Sequence, residues 1–407
     1  MEKSKCPEVR FKGFTLEWEE FKLENMFTFY RGEPFSKSDI VKDGDFKCIH
    51  YGELFTKYNS VIDEVLSSTN TKGLNFGRIG DILMPSSDVT PDGLAKASCL
   101  KVDNVLLGGD INVLRPISLN SSVFISYQIN HSKEKILKCV TGTTVKHLYN
   151  RDLKELSYLT TTFKEQTQIG KFFQNFDQSI ALHEKKLTQT QNLKKAMLEK
   201  IFPKAGSTQP EIRLKGFSGD WEVTELGNIV EFSKGKGISK QDILKTGSTS
   251  CIRYGELYTT YGSIIEKVIS KTNCDKKDYI LSKANQVLIP ASGETQIDIA
   301  TASCILESGV IIGGDLNILT TKEDGVFLSI YLSFIKKYEI AQLAQGNSVV
   351  HLYATQLQNL SIHYPCLAEQ KVISQFFKQL DETLALQQQQ LQTLKNLKQA
   401  FLEKMFV

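Results

Sequence analysis

Apolar positions along this chain come in two textures. Over roughly 8–160 and again over 211–362, short apolar runs rich in β-branched and aromatic residues are closed off by Gly, Pro, Asn and Asp. "DILMP", "QVLIP" and "VIIGGDLNILT" are such runs, and their length and punctuation predict short strands. "VFISYQINHSKEKILKCV" and "FLSIYLSFIKKYEIAQLA" read as helices among them, so this part is expected to be α+β. Over 164–202 and 368–406 the pattern changes. Apolar residues step by three and four through Ile169, Phe173, Phe176, Ile180, Leu187, Met197 and Ile201. They do so again through Ile373, Phe377, Leu380, Leu384, Leu391, Leu394, Phe401 and Met405. Apart from Gly170, no Gly or Pro interrupts either stretch. This is a heptad seam on a helix of about 35–40 residues, roughly 55 Å long. His183, Gln387, Lys194 and Lys398 break the seam, and two readings stay open: they fix pairing and register, or they face solvent at a frayed edge. Leu182, Leu193, Leu198, Leu386, Leu397 and Leu402 are expected on exposed helix faces.

The two textures alternate because one unit is written twice. "YGELFTKY" at 51–58 returns as "YGELYTTY" at 254–261, and "PEVRFKGF" at Pro7 returns as "PEIRLKGF" at Pro210. Trp18 matches Trp221, "ASCL" matches "ASCI", "GGDINVL" matches "GGDLNIL", and "NLKKAMLEKIF" matches "NLKQAFLEKMF". A repeat of about 200 residues is far too long for a solenoid, so each copy is a domain with an appendage. The predicted boundaries are 1–163 for a first domain, 164–203 for a first long helix, 204–367 for a second domain and 368–407 for a second long helix. Antiparallel pairing of the two helices would bury both seams and give a pseudo-twofold dumbbell.

Composition narrows the classes. Hydrophobic content of 41% suits a globular protein, and no run approaches the ~18 apolar residues of a membrane span. The first residues carry no apolar run, so no signal or transit peptide is expected. Eight cysteines stand singly without a CxxC pair, which argues against a zinc site and a disulfide framework and points to a reducing cytoplasm. Cys48 with Cys251 and Cys99 with Cys304 sit at matching positions and read as small core residues. The net charge of +3 is too small for a strong general grip on phosphates, so any such grip is local or shared with a partner. Catalytic signatures are missing: no phosphate loop, no GxSxG, no HExxH and no Asn/Asp-Pro-Pro-aromatic. His147 and His351, in matching "HLY" positions, lack a nucleophile or acid at fixed spacing and read as structural or contact residues.

With these features in order, the chain resembles the specificity subunit of type I restriction-modification enzymes. The resemblance rests on "RFKGF…W" and "RLKGF…W", on "GDILMPSSD" and "NQVLIPASGET", and on "TGTTVKHLY" and "QGNSVVHLY". The tails "EQTQIGKFFQNFD…NLKKAMLEKIF" and "EQKVISQFFKQLD…NLKQAFLEKMF" complete it. The resemblance implies that each α+β part is a target-recognition domain reading one half of a split double-stranded DNA target. It implies that the long helices set the gap and hold two methyltransferase subunits, and that restriction-translocase subunits join them. S-adenosylmethionine would sit on the methyltransferase partners, and no cofactor or metal on this chain. Other readings are the recognition part of a different modification system, or a coiled-coil adaptor that holds two protein-binding domains.

Base readout needs polar side chains at loop positions, such as Arg or Lys for guanine and Asn or Gln for adenine. Four recurring segments have that composition. The first holds Arg31, Ser36 and Lys37, matched by Lys234, Lys236, Ser239 and Lys240. The second holds His50, Tyr51, Lys57 and Tyr58, matched by Arg253, Tyr254, Thr260 and Tyr261. The third holds Ser86 and Ser87, matched by Ser292 and Thr295, and the fourth Thr143 and Lys146, matched by Asn347 and Ser348. For Tyr51 and Tyr254 a structural turn at a domain edge is the competing reading. Similar copies should read similar half-sites, with His50 against Arg253, Lys57 against Thr260, and Ser87 against Gly293 marking divergence. The repeated "GGD" reads as a tight turn that needs glycine's backbone freedom.

Overall fold

The computed structural model describes residues 5–214, 216–346 and 349–407. The chain divides into two compact units: one takes in everything up to Lys185 together with Gln388–Val407, the other is Lys186–Gln387. In the first unit the central sheet runs in the order Phe27–Arg31, Ile111–Pro116, Ile82–Pro85, Ser98–Leu100, Val61–Ile62. Its strands pair antiparallel except for the last two, which are parallel. In the second unit the order is Val230–Lys234, Leu316–Thr321, Gln286–Pro290, Ser303–Ile305, Ile264–Ile265, with the same senses. The runs "DILMP" and "QVLIP" therefore form the middle strand of each sheet, buried along their length.

A second sheet backs the first. It has five strands in the first unit, centred on Phe46–Ile49 and Val105–Leu107, and three in the second. Single bridges at Leu244 and Leu281 stand where the outer strands are missing. Cys48, Cys99, Cys251 and Cys304 are buried in strands as expected, and burial pushes the Cys48 and Cys251 thiols up to about 11 and the Cys99 and Cys304 thiols up to about 12. Helix Ser122–His131 covers the first sheet and is capped by the Ser121 hydroxyl, while helix Gly325–Ile330 is capped by Asp324. The longer apolar segment of the second copy continues through a wider turn, Tyr331–Ile335, into Lys337–Leu343.

The long helices are Phe163–Lys200 and Leu367–Met405. Their half-buried positions fall at 180, 183, 187, 190, 194 and 197, and at 380, 384, 387, 391, 394 and 398, the three-four step of the seam. Within each unit the two helices run antiparallel. In the first unit Phe172 and Phe176 meet Phe401, Asp177 pairs with Lys398 and Glu184 with Lys395. In the second, Phe202 stacks on Phe377 and Lys194 pairs with Asp381. The lysines that break the seam thus do not fray outward: each takes a carboxylate on the facing helix. Leu198 and Leu402 also depart from expectation, packing against the domain cores, whereas Leu182, Leu193, Leu386 and Leu397 are exposed.

Each domain is tied to the start of its long helix by one repeated arrangement. Arg10 reaches from the N-terminal segment to Glu165 through two bonds, Nε to Oε1 at 2.6 Å and Nη2 to Oε2 at 2.8 Å. Arg213 does the same to Glu369, at 2.9 and 2.7 Å. Both carboxylates are buried. The next residue completes the tie. Gln166 accepts from the Ser121 N–H and donates to Thr160 and the Thr161 carbonyl. Gln370 accepts from the Asp324 N–H and donates to Glu323 and the Pro365 carbonyl. The "R…GF" and "EQ" motifs are this clamp. Removing one partner of a buried, hydrogen-bonded pair leaves the other charge uncompensated. Arg10→Ala or Glu165→Ala should therefore destabilise the first unit by about 3–5 kcal/mol, and the double variant should cost less than the sum. Denaturant titration checks this; additive, small losses would contradict it.

Candidate nucleic-acid interface

In the first unit, the first two recurring segments and the "GGD" turn meet at one end of the central sheet around a cleft of about 660 Å³. Arg31, Ser36, His50, Tyr51 and Asp110 line it, with Gly108 and Gly109 as its floor. Strand Phe27–Arg31 delivers Arg31, and Gly32 then lets the chain press on the "GGD" turn, because a Cβ there would collide with the Gly108 carbonyl. Gly235 meets Gly313 in the same way. Gly108, Gly109, Gly313 and Gly314 themselves keep ordinary backbone angles, so close approach rather than left-handed freedom is what demands glycine here.

The flanking loop is pinned by backbone bonds and one buried amide. Ser87–Asp88 pairs with Lys146–His147, the Leu148 N–H donates to the Ser86 carbonyl, and Asn112 Nδ2 donates to the Leu148 carbonyl at 2.9 Å. The second unit repeats this with Ser292–Gly293 on Val350–His351, Leu352 on Ala291, and Asn317 on the Leu352 carbonyl at 3.0 Å. His147 stacks on Tyr149 and His351 on Tyr353. These pairings correct the alignment of the third segment: the counterpart of Ser86 is Ala291, that of Ser87 is Ser292, and Gly293 answers Asp88.

The "YGEL" phrase has a different role from the one expected of it. It forms short helices, Glu53–Thr56 and Tyr254–Thr259, rather than reading loops. Glu53 is buried; its Oε2 accepts from the His50 N–H and its Oε1 from Ser67 and Lys57. Glu256 repeats the reach-back to the Arg253 N–H and takes Ser270. The Tyr58 and Tyr261 hydroxyls accept from the Leu66 and Ile269 N–H groups. Tyr58 and Lys57 are therefore occupied in holding the domain together, as is Tyr261, while His50 and Tyr51 remain at the cleft.

The other candidates divide similarly. Lys37, Lys234, Lys236, Lys240, Thr143 and Thr260 are exposed, and the four lysines meet no acceptor among the described residues. Ser36 and Ser239 cap short turns through Asp39 and Asp242, Thr295 caps helix Gln296–Ile299, and Lys146 donates to the Gly142 carbonyl. Ser292 is buried with its Oγ 3.5 Å from His351 Nδ1, Arg253 and Tyr254 are half-buried, and Asn347 and Ser348 lie outside the described residues. Asp110, Asn112 and Asn317 were not among the expected residues. Their signal was present: both copies carry Asp just before an apolar strand and Asn at its second position.

Each of the two α+β domains is thus clamped to a long helix and presents a polar loop cluster pinned by backbone bonds. The family described as "Type I restriction modification DNA specificity domain" matches residues 15–192 and again 218–396, and the chain belongs to it. It is similar to a putative type I restriction enzyme MjaX specificity subunit of Methanocaldococcus jannaschii, 24% identical over 89% of this chain and 82% of that one. The MjaVIII specificity subunit of the same organism is 23% identical over 65% of each chain. The crystal structure of a type I restriction-modification S subunit from M. genitalium covers 99% of both chains with a TM-score of 0.63 at 16% identity, which shows a shared fold. Among the described residues no helix is long and apolar enough to cross a membrane.

Burial holds the His50 imidazole below its ordinary pKa, and its Nδ1 accepts from the Gly52 N–H at 3.3 Å. Its folded value lies below the unfolded one, near ~6.5, so its contribution to stability is complete above that pH and lost as pH falls through the folded value. The unfolding midpoint of wild type should drop more steeply between about pH 7 and 5 than that of His50→Gln. Parallel curves would show that the ring titrates freely.

Proposed function

We propose that the chain is the sequence-reading subunit of a type I restriction-modification complex, each domain reading one half of a bipartite DNA target. The observation that carries this is the match of a DNA-specificity family to both copies, on domains that repeat the same pinned cluster. Base edges carry sequence and phosphates carry position, so a cluster rich in Arg, Lys, Ser and Asn on a rigid sheet suits base readout. Two readers on one face of B-DNA work at about one helical turn, roughly 34 Å, and the long helices would hold that interval. The charge of +3 leaves much of the phosphate grip to partners.

Those partners are two methyltransferase subunits, which would bind S-adenosylmethionine and methylate adenine, and restriction-translocase subunits. This chain supplies recognition and no bond-making step. Leu182 and Leu386 are 51% and 55% exposed, and Leu193 and Leu397 are 43% and 44%, so the helices carry two matched apolar positions for two copies of one partner. Single-molecule sequencing for methylated adenine, in cells expressing the methyltransferase subunits with and without this chain, tests the reading. A split motif should be methylated only when the chain is present. If no motif changes, the adaptor reading takes its place.

A further inference from the structure

Resting on that reading, we propose that Arg31 selects a guanine in the half-site of the first unit, with Ser86 as its positioning residue, and that the second unit lacks this selection. Arg31 ends its strand in register with Asn112 at the mouth of the cleft. Its Nη2 donates to Ser86 Oγ at 2.7 Å and lies 3.5 Å from an Asp110 carboxylate oxygen. Ser86 is 2% exposed and immobilised on both sides: its N–H donates to the Asp110 carbonyl and its own carbonyl accepts from Leu148. One edge of the guanidinium is therefore anchored to the sheet. The side chain is still 51% exposed, and among the described residues its Nε and Nη1 meet no acceptor. An arginine held in this way has little rotamer freedom left to lose, and the second Nη2 hydrogen with Nε or Nη1 forms the two-donor edge that fits guanine O6 and N7 in the major groove.

The second unit changes both members at once. Lys234 takes the same register opposite Asn317, and Ala291 takes the place of Ser86. A lysine ammonium is a point charge without the fork, and alanine offers no hydroxyl to hold it. The surrounding pins at Asn317 and Leu352 are kept, so the exchange at this pair occurs on an unchanged loop framework. The two half-sites should accordingly diverge at the base pair facing Arg31 and Lys234.

The test is the methylated motif written by the assembled complex with Arg31→Lys, with Ser86→Ala, and with the transplant Lys234→Arg plus Ala291→Ser. Arg31→Lys should lose roughly tenfold in discrimination at one guanine of one half and leave the other half intact. Ser86→Ala should relax the same base pair by less. The transplant should add a guanine preference to the other half, and it decides the matter even if the Arg31 variant assembles poorly. An unchanged motif for all three, or a wild-type half-site without guanine, overturns the proposal. So does weakening across all sequences alike with a salt slope shallower by about one, the mark of a phosphate contact. A wild-type complex that methylates no split motif would instead refute the reading under it.

Discussion

The buried pair between Arg10 and Glu165, repeated between Arg213 and Glu369, is the contact on which the rest depends. A recognition domain is useful only if its orientation on the supporting helix is fixed. The clamp joins the N-terminal segment to the first turn of the long helix, and the adjacent Gln166 and Gln370 join that turn to the start of the domain's own helix. Both glutamates sit in the first helical turn, where the helix dipole favours an anion. Charge, dipole and bidentate geometry converge on one point, so the domain has one angle to its helix rather than a range.

A second level of fixation operates at the cleft. Asn112 and Asn317 lie on central strands with their amides buried, and each holds a loop carbonyl that would otherwise swing. Glu53 and Glu256 do the same for the short helices behind the cleft. An unsatisfied buried polar group costs more than a made bond gains, so these residues specify the loop positions more than they add stability. What varies between the copies is left to a few side chains at the rim. The buried Asp81–Arg115 pair of the first unit becomes a neutral Gln286–Thr320 bond in the second, without any change in sheet order.

The long helices and the duplicated α+β domains were legible because they rest on periodicity. A three-four apolar step needs no knowledge of partners, and the helices Phe163–Lys200 and Leu367–Met405 carry that step. The cleft was legible in part. Arg31, His50 and Tyr51 were found by residue type, but the repeated "YGEL" was read as a reading surface when much of it is a buried tie. The reason is that Glu53 meets Ser67, and Tyr58 meets Leu66, only after the strands have folded together. The displaced match of Ser86 has a similar origin. Small insertions between the copies shift the count by one, and the Asp110–Ser86–Leu148 bonds together with the paired strands beside them restore the true register.

Methylation interference at guanine N7 across the target of the assembled complex tests the central claim, that this chain carries two rigidly mounted copies of one reader. N7 lies in the major groove, so the footprint reports readers directly. The account predicts two separate patches about one helical turn apart on the same face, with unaffected guanines between them. One continuous patch, or a single patch at one end of the target, would contradict it.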